Sequence, residues 1–385
     1  MSTPESLCMD TPVQAELRDL ARKFAEKELR PLIEEDEHAE RFRPEIIQKM
    51  GELGLTGIPV PEEYGGAGLG YQEYIVVMEE IAKVNMGYAI SIAVTGLPQI
   101  ILNLFGNEAQ KKKYIPPLAA GHAIGAFGLS ESTSGSDAGS LRTTARKDGD
   151  HYIINGTKMW ITQGDYADTL ILMARTGGPG PKGVSSFIVE KGTPGFKYGK
   201  REKKMGCHTS HTMELVFENM RIPAENLIGR EGEGFKVAMT ALDSGRITIG
   251  AGALGIGLGA MEVAAKYASQ REQFGKPIIE FQGVSFMLAD MATQLEASKL
   301  LVRQAAWLKD HGKPFSLQAA MAKLFATDTT MKVTTDAVQV LGGAGYTQEF
   351  PLERYMREAK VMQIVEGTNQ VQRLIIGKSL GVSPQ

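Results

Sequence analysis

The chain has few of the residues that build disulfide or metal sites. Cys8 and Cys207 are its two cysteines among 385 residues, which leaves no material for a disulfide framework or a thiolate cluster and indicates a reducing compartment. His208 and His211 lie close together in the sequence, but no third ligand stands beside them. We therefore expect no metal site.

A charge excess of one sign is also missing. The formal net charge is -3, from 42 basic and 45 acidic residues, so no basic field favours nucleic acid. The first residues do not follow the pattern of a secretory signal, and we expect no stretch long and apolar enough to span a bilayer. The sequence thus predicts no nucleic-acid partner and no membrane partner. It predicts a cytoplasmic protein, or one of an organelle matrix after processing.

Periodicity divides the chain into three parts. Helical spacing begins at Thr11 and Pro12, a cap and a first-turn proline, and continues over residues 44–53, 71–84 and 99–105. Short β-rich runs separated by glycine and proline follow at residues 151–154, 169–173, 184–189 and 213–217. Helical spacing then returns, with one apolar face over residues 317–338 that Gly342 and Gly343 end.

This order predicts an α+β protein. We place a helical domain at residues 1–121, a β-barrel or β-sandwich domain at 122–230 and a second helical domain at 231–385. Strands and helices do not alternate, which argues against a doubly wound nucleotide-binding fold. The stretch Gly255-x-Gly257-x-x-Ala260 fits a dinucleotide-binding fingerprint, but no strand precedes it. Its small residues favour close helix packing instead.

Glu366 has an informative setting near the end of the chain. It stands between two helical stretches, followed by Gly367, which permits a sharp turn, and Thr368, which can cap the next helix. A carboxylate fixed near a helix N-terminus can serve as a general base. It can equally be an ordinary acidic residue that the helix dipole favours.

Two segments around the β-rich part have the composition of a ligand site. Residues 127–140 form a hydroxyl- and glycine-rich loop, which offers donors to an anion or a polar ring, or is a solvated turn. Trp160 and Thr162 are two residues apart, so in an extended strand they point the same way. A planar heteroaromatic cofactor could use both, although a tryptophan here could also be a core residue.

Two further segments lie in the C-terminal helical part. Arg271 follows a helix and suits a pyrophosphate through its planar guanidinium, or is simply an exposed arginine. The glycine-dense helix end at residues 339–345 is either a C-cap or a place where backbone approaches a ligand closely.

Taken together and in this order, these motifs resemble the acyl-CoA dehydrogenase family of flavoproteins over nearly the whole chain. The resemblance implies an N-terminal helical domain, a middle β-domain, a C-terminal four-helix bundle and a homotetramer. It implies FAD as the cofactor, an acyl-CoA substrate and an electron-transfer flavoprotein as the electron acceptor. The reaction would be α,β-dehydrogenation to the trans-2-enoyl-CoA.

The resemblance also implies roles for individual residues. Glu366 would be the base that removes the α-proton, and the β-hydrogen would leave as hydride to flavin N5. The thioester and CoA would be held by Ser136, Asp243, Arg246 and Gly367. FAD would be contacted by Phe127, Leu129, Ser130, Gly135, Ser136, Trp160, Ile161, Thr162, Arg271, Phe274, Gln282, Gln339, Val340, Leu341, Gly342, Gly343, Thr368, Asn369 and Gln370. Of these, Arg271, Phe274, Gln282 and residues 339–343 would contact the FAD of a neighbouring subunit.

Four positions bear on the substrate. Gly245 occupies the place where some relatives carry the base, and Ala89 stands where glutaryl-CoA enzymes carry an arginine. A short straight-chain or methyl-branched acyl-CoA is therefore expected. Val365 replaces a common aromatic and Ser132 a common proline, which puts chain length in doubt. Alternatives on the same scaffold are an enoyl-CoA reductase, an acyl-CoA oxidase or a non-catalytic acyl-CoA-binding protein.

Overall fold

The computed structural model describes residues 9–382. The first part is helical: α1 (Pro12–Phe24), α2 (Ile33–Ala39), α3 (Pro44–Glu52), α4 (Tyr71–Val84), α5 (Met86–Phe105) and α6 (Glu108–Ala119). Thr11 caps α1 through a reciprocal pair of hydrogen bonds with Gln14, as the sequence predicts for a cap. The predicted run at residues 99–105 is only the last part of α5, and α6, which contains Pro116 and Pro117, was missed.

The middle part is a single eight-stranded sheet. Its strands are β1 (Gly125–Gly128), β2 (Thr144–Asp148), β3 (His151–Thr162), β4 (Thr169–Arg175), β5 (Val184–Glu190), β6 (Phe196–Arg201), β7 (Thr212–Pro223) and β8 (Leu227–Ile228). The strand order is β6-β7-β3-β2-β4-β5-β8, with β1 paired parallel to β4. The four predicted β-rich runs lie within β3, β4, β5 and β7.

The last part returns to helices. They are α7 (Gly234–Gln270), α8 (Gln282–Asp310), α9 (Ser316–Leu341), α10 (Leu352–Met362) and α11 (Asn369–Ser379), with a small hairpin of β9 (Glu272–Gln273) and β10 (Lys276–Pro277) between α7 and α8. The helix α9 ends at Gly342, as predicted. The α+β fold class, helical at both ends with a β-sheet between, is thus confirmed.

The glycine pattern inside α7 serves packing. A Cβ at Gly255 would lie 2.3 Å from the backbone oxygen of Glu79 in α4, and one at Gly257 would lie 2.6 Å from a methyl group of Leu295 in α8. The first contact is with backbone, so α7 can approach α4 this closely only with glycine at residue 255, whereas a side chain at residue 257 would require Leu295 to shift. The packing interpretation is the correct one, and the segment is not a dinucleotide loop.

The N-terminal and C-terminal helices share one hydrophobic core. Ile75 and Val76 of α4 belong to the same buried cluster as Leu254 and Ile256 of α7. The sheet has a separate core of its own, which includes Ile154. The two helical parts are therefore distant in sequence but packed together in the fold.

The expectation that no segment is long and apolar enough for a bilayer is wrong. Two helices, α5 (Met86–Phe105) and α7 (Gly234–Gln270), each reach a mean hydropathy of 1.6 over an 18-residue window. Within these windows 72% and 78% of the residues are buried against the rest of the protein. Their apolar composition is therefore accounted for by core packing between helices.

Candidate active site

Glu366 lies on the short connector between α10 and α11. Its φ is 54° and that of Gly367 is 87°, so two consecutive residues adopt the left-handed conformation. For a residue with a side chain this costs about 1–2 kcal/mol, and such strain is often found at functional sites. The side chain of Thr368 accepts a hydrogen bond from the amide of Val371 at 3.3 Å, which confirms the predicted cap of α11.

The carboxylate of Glu366 rests against Gly245 of α7. A Cβ at residue 245 would lie 2.7 Å from Oε2 and 2.8 Å from Cδ of Glu366. Oε2 is buried and has no hydrogen-bond partner among the described residues. Burial raises the pKa of Glu366 to about 7, against the opposing charges of Arg246 and Lys323. A carboxylate with a free oxygen and a pKa near neutrality is suited to accept a proton.

The backbone of the same connector offers hydrogen-bond donors. The amides of Glu366 and Gly367 form no hydrogen bond within residues 9–382. They are available for a carbonyl oxygen next to the carboxylate. Donors placed in this way can stabilise an oxyanion that develops beside them.

Arg246 and Asp243 form an ion pair near this carboxylate. The guanidinium of Arg246, which is buried, bonds to Asp243 three residues earlier on α7. Burial raises the pKa of Asp243 in spite of this partner. The Nε of Arg246 has no acceptor among the described residues. The pair therefore keeps one donor of Arg246 free.

The hydroxyl- and glycine-rich loop is fixed to β3 by a buried ion pair. Lys158 of β3 is fully buried, and its Nζ bonds to Glu131 Oε1 at 2.7 Å and to the Leu129 oxygen at 2.9 Å. The carboxylate of Glu131 also accepts the amides of Arg142 and Thr143, at 2.6 and 2.9 Å. These bonds give the loop a defined shape, while Gly135 and Ser136 at its tip remain exposed.

Trp160 and Thr162 lie on the less buried face of β3. The strand is not regular here, because its pairing with β7 shifts between Lys158 and Ile161 and Trp160 has a φ of 64°. The simple alternation assumed for an extended strand therefore does not apply. The indole of Trp160 is 57% exposed, whereas Ile161 is buried. Trp160 is thus no core residue.

A planar ring with polar edges fits this surface. It could pack on the exposed indole, since aromatic faces at a surface favour stacking. The hydroxyls of Ser130, Ser136 and Thr162 form no hydrogen bond with another described residue, so they remain free to bond the ring edges or a phosphate.

The other predicted cofactor residues fall into two groups. Those exposed on the molecule are Arg271, Phe274, Gln282, Gln339, Gly342, Gly343 and Gln370. Phe274 is 93% exposed, with a φ of 54°. The half-buried ones are Phe127 and Thr368, whereas Leu129, Val340, Leu341 and Asn369 have buried side chains. The exposed group is available to a molecule outside this subunit.

Asn369 differs from its predicted neighbours. Its Oδ1 accepts a hydrogen bond from Lys323 at 2.7 Å, and its Nδ2 donates to Thr327 and Asp328 at 2.9 and 2.6 Å. The side chain is therefore engaged within the subunit and holds the start of α11 against α9.

The sequence reasoning missed two residues beside Glu366. The Nζ of Lys323 donates to the Gly367 oxygen at 3.0 Å, and Nε2 of Gln372 donates to the same oxygen at 2.7 Å. Lys323 did leave a signal, because it is the single charged residue in the run 316–327 of α9. Gln372 left none. Among residues 9–382 no group of three or more His, Cys, Asp or Glu side chains could hold a metal ion.

Three family models match the chain in succession. They are the N-terminal domain of acyl-CoA dehydrogenase at residues 11–122, its middle domain at 126–220 and its C-terminal domain at 232–381. An acyl-CoA dehydrogenase of Bacillus subtilis (strain 168) is 50% identical over 372 residues, which cover 96% of this chain and 98% of the relative.

Solved structures agree over the same length. The butyryl-CoA dehydrogenase of Megasphaera elsdenii has a TM-score of 0.95 at 47% identity, covering 97% of this chain and 100% of its own. A chain from the structure described as "Electron transferring flavoprotein of Acidaminococcus fermentans: Towards a mechanism of flavin-based electron bifurcation" has a TM-score of 0.95 at 52% identity, covering 97% and 99%.

These matches span almost every described element, from α1 to α11, and include both the loop that Lys158 fixes and the connector that carries Glu366. The chain therefore belongs to the acyl-CoA dehydrogenase family, as an FAD-dependent oxidoreductase that dehydrogenates acyl-CoA thioesters.

Proposed function

We propose that this enzyme converts a short straight-chain or methyl-branched acyl-CoA to the trans-2-enoyl-CoA, with Glu366 as the base. The observation that carries this proposal is the carboxylate itself: its Oε2 is buried and without a partner, and burial raises its pKa to about 7. Gly245 leaves the space that the carboxylate fills and supplies no competing base. General base catalysis by a carboxylate of this kind contributes about 10²–10⁴-fold to the rate.

The connector does a second task in this mechanism. The free amides of Glu366 and Gly367 donate to the thioester carbonyl oxygen, which becomes more negative as the α-proton leaves. The α-proton passes to the carboxylate of Glu366, and the pair of electrons from the α C–H bond forms the new double bond. Bound FAD supplies the acceptor at flavin N5 for the hydride that leaves the β-carbon.

The exposed face of β3 and the loop that Lys158 fixes support FAD binding. Phe127, Leu129, Ser130, Gly135 and Ser136 surround the ring from the loop side, and Trp160, Ile161 and Thr162 from β3. The FAD of a neighbouring subunit is contacted by Arg271, Phe274, Gln282 and residues 339–343. Thr368 and Gln370 hold the adenine half of a bound FAD. Asn369 shapes that site from behind, since its own side chain is engaged within the subunit.

We propose that Ser136, Asp243, Arg246 and Gly367 hold the thioester and the CoA moiety. The exposed hydroxyl of Ser136 and the free Nε of Arg246 are donors. An arginine is well suited to phosphate groups. Ala89, which is buried, offers no charge to a dicarboxylic substrate, and the butyryl-CoA relative supports a short acyl chain.

The proposed assembly is a homotetramer that passes electrons to an electron-transfer flavoprotein. The exposed aromatic side chain of Phe274 supports a subunit contact, as does an apolar groove of about 560 Å³ on α8, α9 and α11. The proposed domain boundaries are residues 1–121, 122–230 and 231–385. They fall between α6 and β1 and between β8 and α7.

The decisive experiment is an anaerobic titration of the purified holoenzyme with acyl-CoAs of graded length and branching. Bleaching of the flavin absorbance reports dehydrogenation. We expect the largest response with short acyl chains. A response only to long-chain or dicarboxylic acyl-CoA would contradict the substrate proposal. If no acyl-CoA bleaches the flavin, but an enoyl-CoA reoxidises the chemically reduced flavin, the enzyme would instead be a reductase.

A further inference from the structure

Lys323 is a buried lysine whose amine faces the connector that carries Glu366. Its side chain is 0% exposed within α9. Nζ donates to the backbone oxygen of Gly367 at 3.0 Å and to Oδ1 of Asn369 at 2.7 Å. Among residues 9–382 no carboxylate oxygen lies within ion-pairing distance of Nζ. A buried cation without a paired anion is costly, so its presence beside the base calls for a function.

The connector needs support from outside. The left-handed conformations of Glu366 and Gly367 persist only if the surroundings fix them. The oxygen of Gly367 accepts hydrogen bonds from both Lys323 and Gln372, and the Gln372 amide also reaches the Glu366 oxygen at 3.3 Å. Lys323 therefore fixes the peptide that follows the base from α9, while Gln372 fixes it from α11.

The charges around the base are few. Arg246 of α7 and Lys323 of α9 face Glu366, and Tyr71 of α4 lies within electrostatic reach. Lys323 itself is faced by Glu366, by Asp328 of its own helix and by Arg246.

Lys323 and Glu366 each favour the charged form of the other. Burial lowers the pKa of Lys323 to about 7, against the attraction of Glu366, and burial raises the pKa of Glu366 to about 7, against Arg246 and Lys323. Arg246 is already bonded to Asp243, whereas Lys323 has only neutral acceptors. Its charge is therefore not neutralised by a direct partner.

We propose that Lys323 is a positioning residue of the active site, which fixes the Glu366 connector through the Gly367 oxygen and supplies a positive charge that favours the ionised carboxylate. This inference rests on the proposed role of Glu366 as the base. Lys323 touches neither the thioester nor the cofactor in this proposal. It acts through its hydrogen bond to the connector and through its charge on the Glu366 carboxylate.

Two substitutions separate the hydrogen bond from the charge. Lys323→Gln keeps an N–H donor and removes the charge, whereas Lys323→Met removes both. In each variant we expect the acid limb of the kcat/KM profile to move to higher pH by about one unit, because a neighbouring cation lowers a carboxyl pKa by about that much. We expect kcat to fall further for Lys323→Met than for Lys323→Gln. Lys313→Met, at an exposed position before α9, is the matched control and should leave both values unchanged.

An infrared titration provides a readout without turnover. The carbonyl band of the protonated Glu366 carboxyl is identified by its loss in Glu366→Gln. We expect this band to persist to higher pH in Lys323→Gln than in the unsubstituted holoenzyme. If Lys323→Met does not fold, Lys323→Gln alone tests whether the charge of Lys323 favours the ionised carboxylate of Glu366.

The outcomes distinguish this inference from the proposed function. Turnover that survives in Glu366→Gln would overturn the base assignment itself. If Glu366→Gln abolishes turnover but Lys323→Gln leaves both the pH profile and the infrared titration unchanged, the base assignment stands and the role of Lys323 is overturned. A lowered melting temperature without a shift in either titration would identify Lys323 as a merely structural residue.

Discussion

The carboxylate of Glu366 fills the space that the missing side chain of Gly245 leaves free. A Cβ on residue 245 would lie 2.7 Å from Oε2, closer than atoms in proteins approach without displacement. The carboxylate on the C-terminal connector and the glycine on α7 therefore form one arrangement, although 120 residues of sequence separate them.

We expect Gly245→Ala to displace the carboxylate and lower kcat by about 10²-fold, within the range that general base catalysis contributes. Stopped-flow measurement of flavin bleaching under anaerobic conditions checks this. Gly250→Ala on the same helix is the control, since its Cβ would meet a Val302 methyl group at 3.2 Å and the Ala322 backbone at 3.7 Å, and none of the Glu366 atoms. Equal activity of both alanine variants would show that the contact with Gly245 does not position the base.

Replacing the base should separate binding from chemistry. We expect Glu366→Gln to retain FAD and to lose dehydrogenation by about 10²–10⁴-fold, because an amide cannot accept the α-proton. The flavin-to-protein absorbance ratio and single-turnover bleaching measure the two properties. Glu349→Gln, at an exposed position, should behave like the unsubstituted enzyme. Near-normal turnover in the Glu366 variant would exclude this residue as the base.

The raised pKa of Glu366 has consequences for both activity and stability. Only the ionised carboxylate accepts a proton, so kcat/KM should fall as pH decreases below about 7. The free energy of unfolding depends on pH in the opposite direction, because it falls as pH rises. The folded state binds this proton more tightly than the unfolded state, so Glu366 lowers the free energy of unfolding as pH rises from its ordinary value of 4.5 to about 7.

Glu366→Gln should therefore be more stable than the unsubstituted protein above pH 7, by up to about 3 kcal/mol. The difference should disappear below the ordinary carboxyl pKa of 4.5. Urea unfolding at several pH values measures it. A stability difference that is independent of pH would contradict a raised pKa in the folded state.

The buried ion pair of Lys158 and Glu131 should lose much stability when one partner is replaced and little when both are. Lys158→Met leaves Glu131 buried without its cation, so we expect a loss of about 3–5 kcal/mol and weaker FAD retention. Adding Glu131→Leu should restore much of the stability, because the buried charge is then removed as well. Lys197→Met breaks a solvent-exposed pair with Glu218 and should cost less than about 1 kcal/mol. Additive effects of the Lys158 and Glu131 substitutions would show that the two residues are independent.

Arg271 makes no side-chain hydrogen bond with any residue in the described range, and it is exposed. We therefore expect Arg271→Ala to leave the subunit's own packing intact while it lowers FAD content, since a charge-assisted contact to a phosphate would be lost. Gel filtration with absorbance detection measures flavin content and oligomeric state together. Arg146→Ala, at an exposed position in β2, is the control. Full flavin content in the Arg271 variant would remove this residue from the cofactor site.

The elements that the sequence predicted best have strong local signals. The Thr11 cap, the helix Tyr71–Val84, the end of α9 at Gly342 and the Thr368 cap each depend on a few neighbouring residues. The helix α6 was missed because its two prolines are normally read as helix breakers. Trp160 was expected in an extended segment, and it lies in β3, which continues through the predicted turn after Ile154. Its positive φ was not foreseen, because a pairing shift with β7 is a property of two strands and not of one.

The sequence by itself determined the order of helical, β-rich and helical parts. It also singled out Glu366 as the candidate base and showed that residue 245 carries no second carboxylate. These features depend on neighbouring residues, or on motifs that follow one another in the order typical of the family. Only the tertiary structure decided that α4 and α7 share one core, that Glu366 lies against Gly245 and that Lys323 bonds to the Gly367 oxygen. The reason is that burial, which sets both the contacts and the pKa of Glu366, arises from segments far apart in the chain.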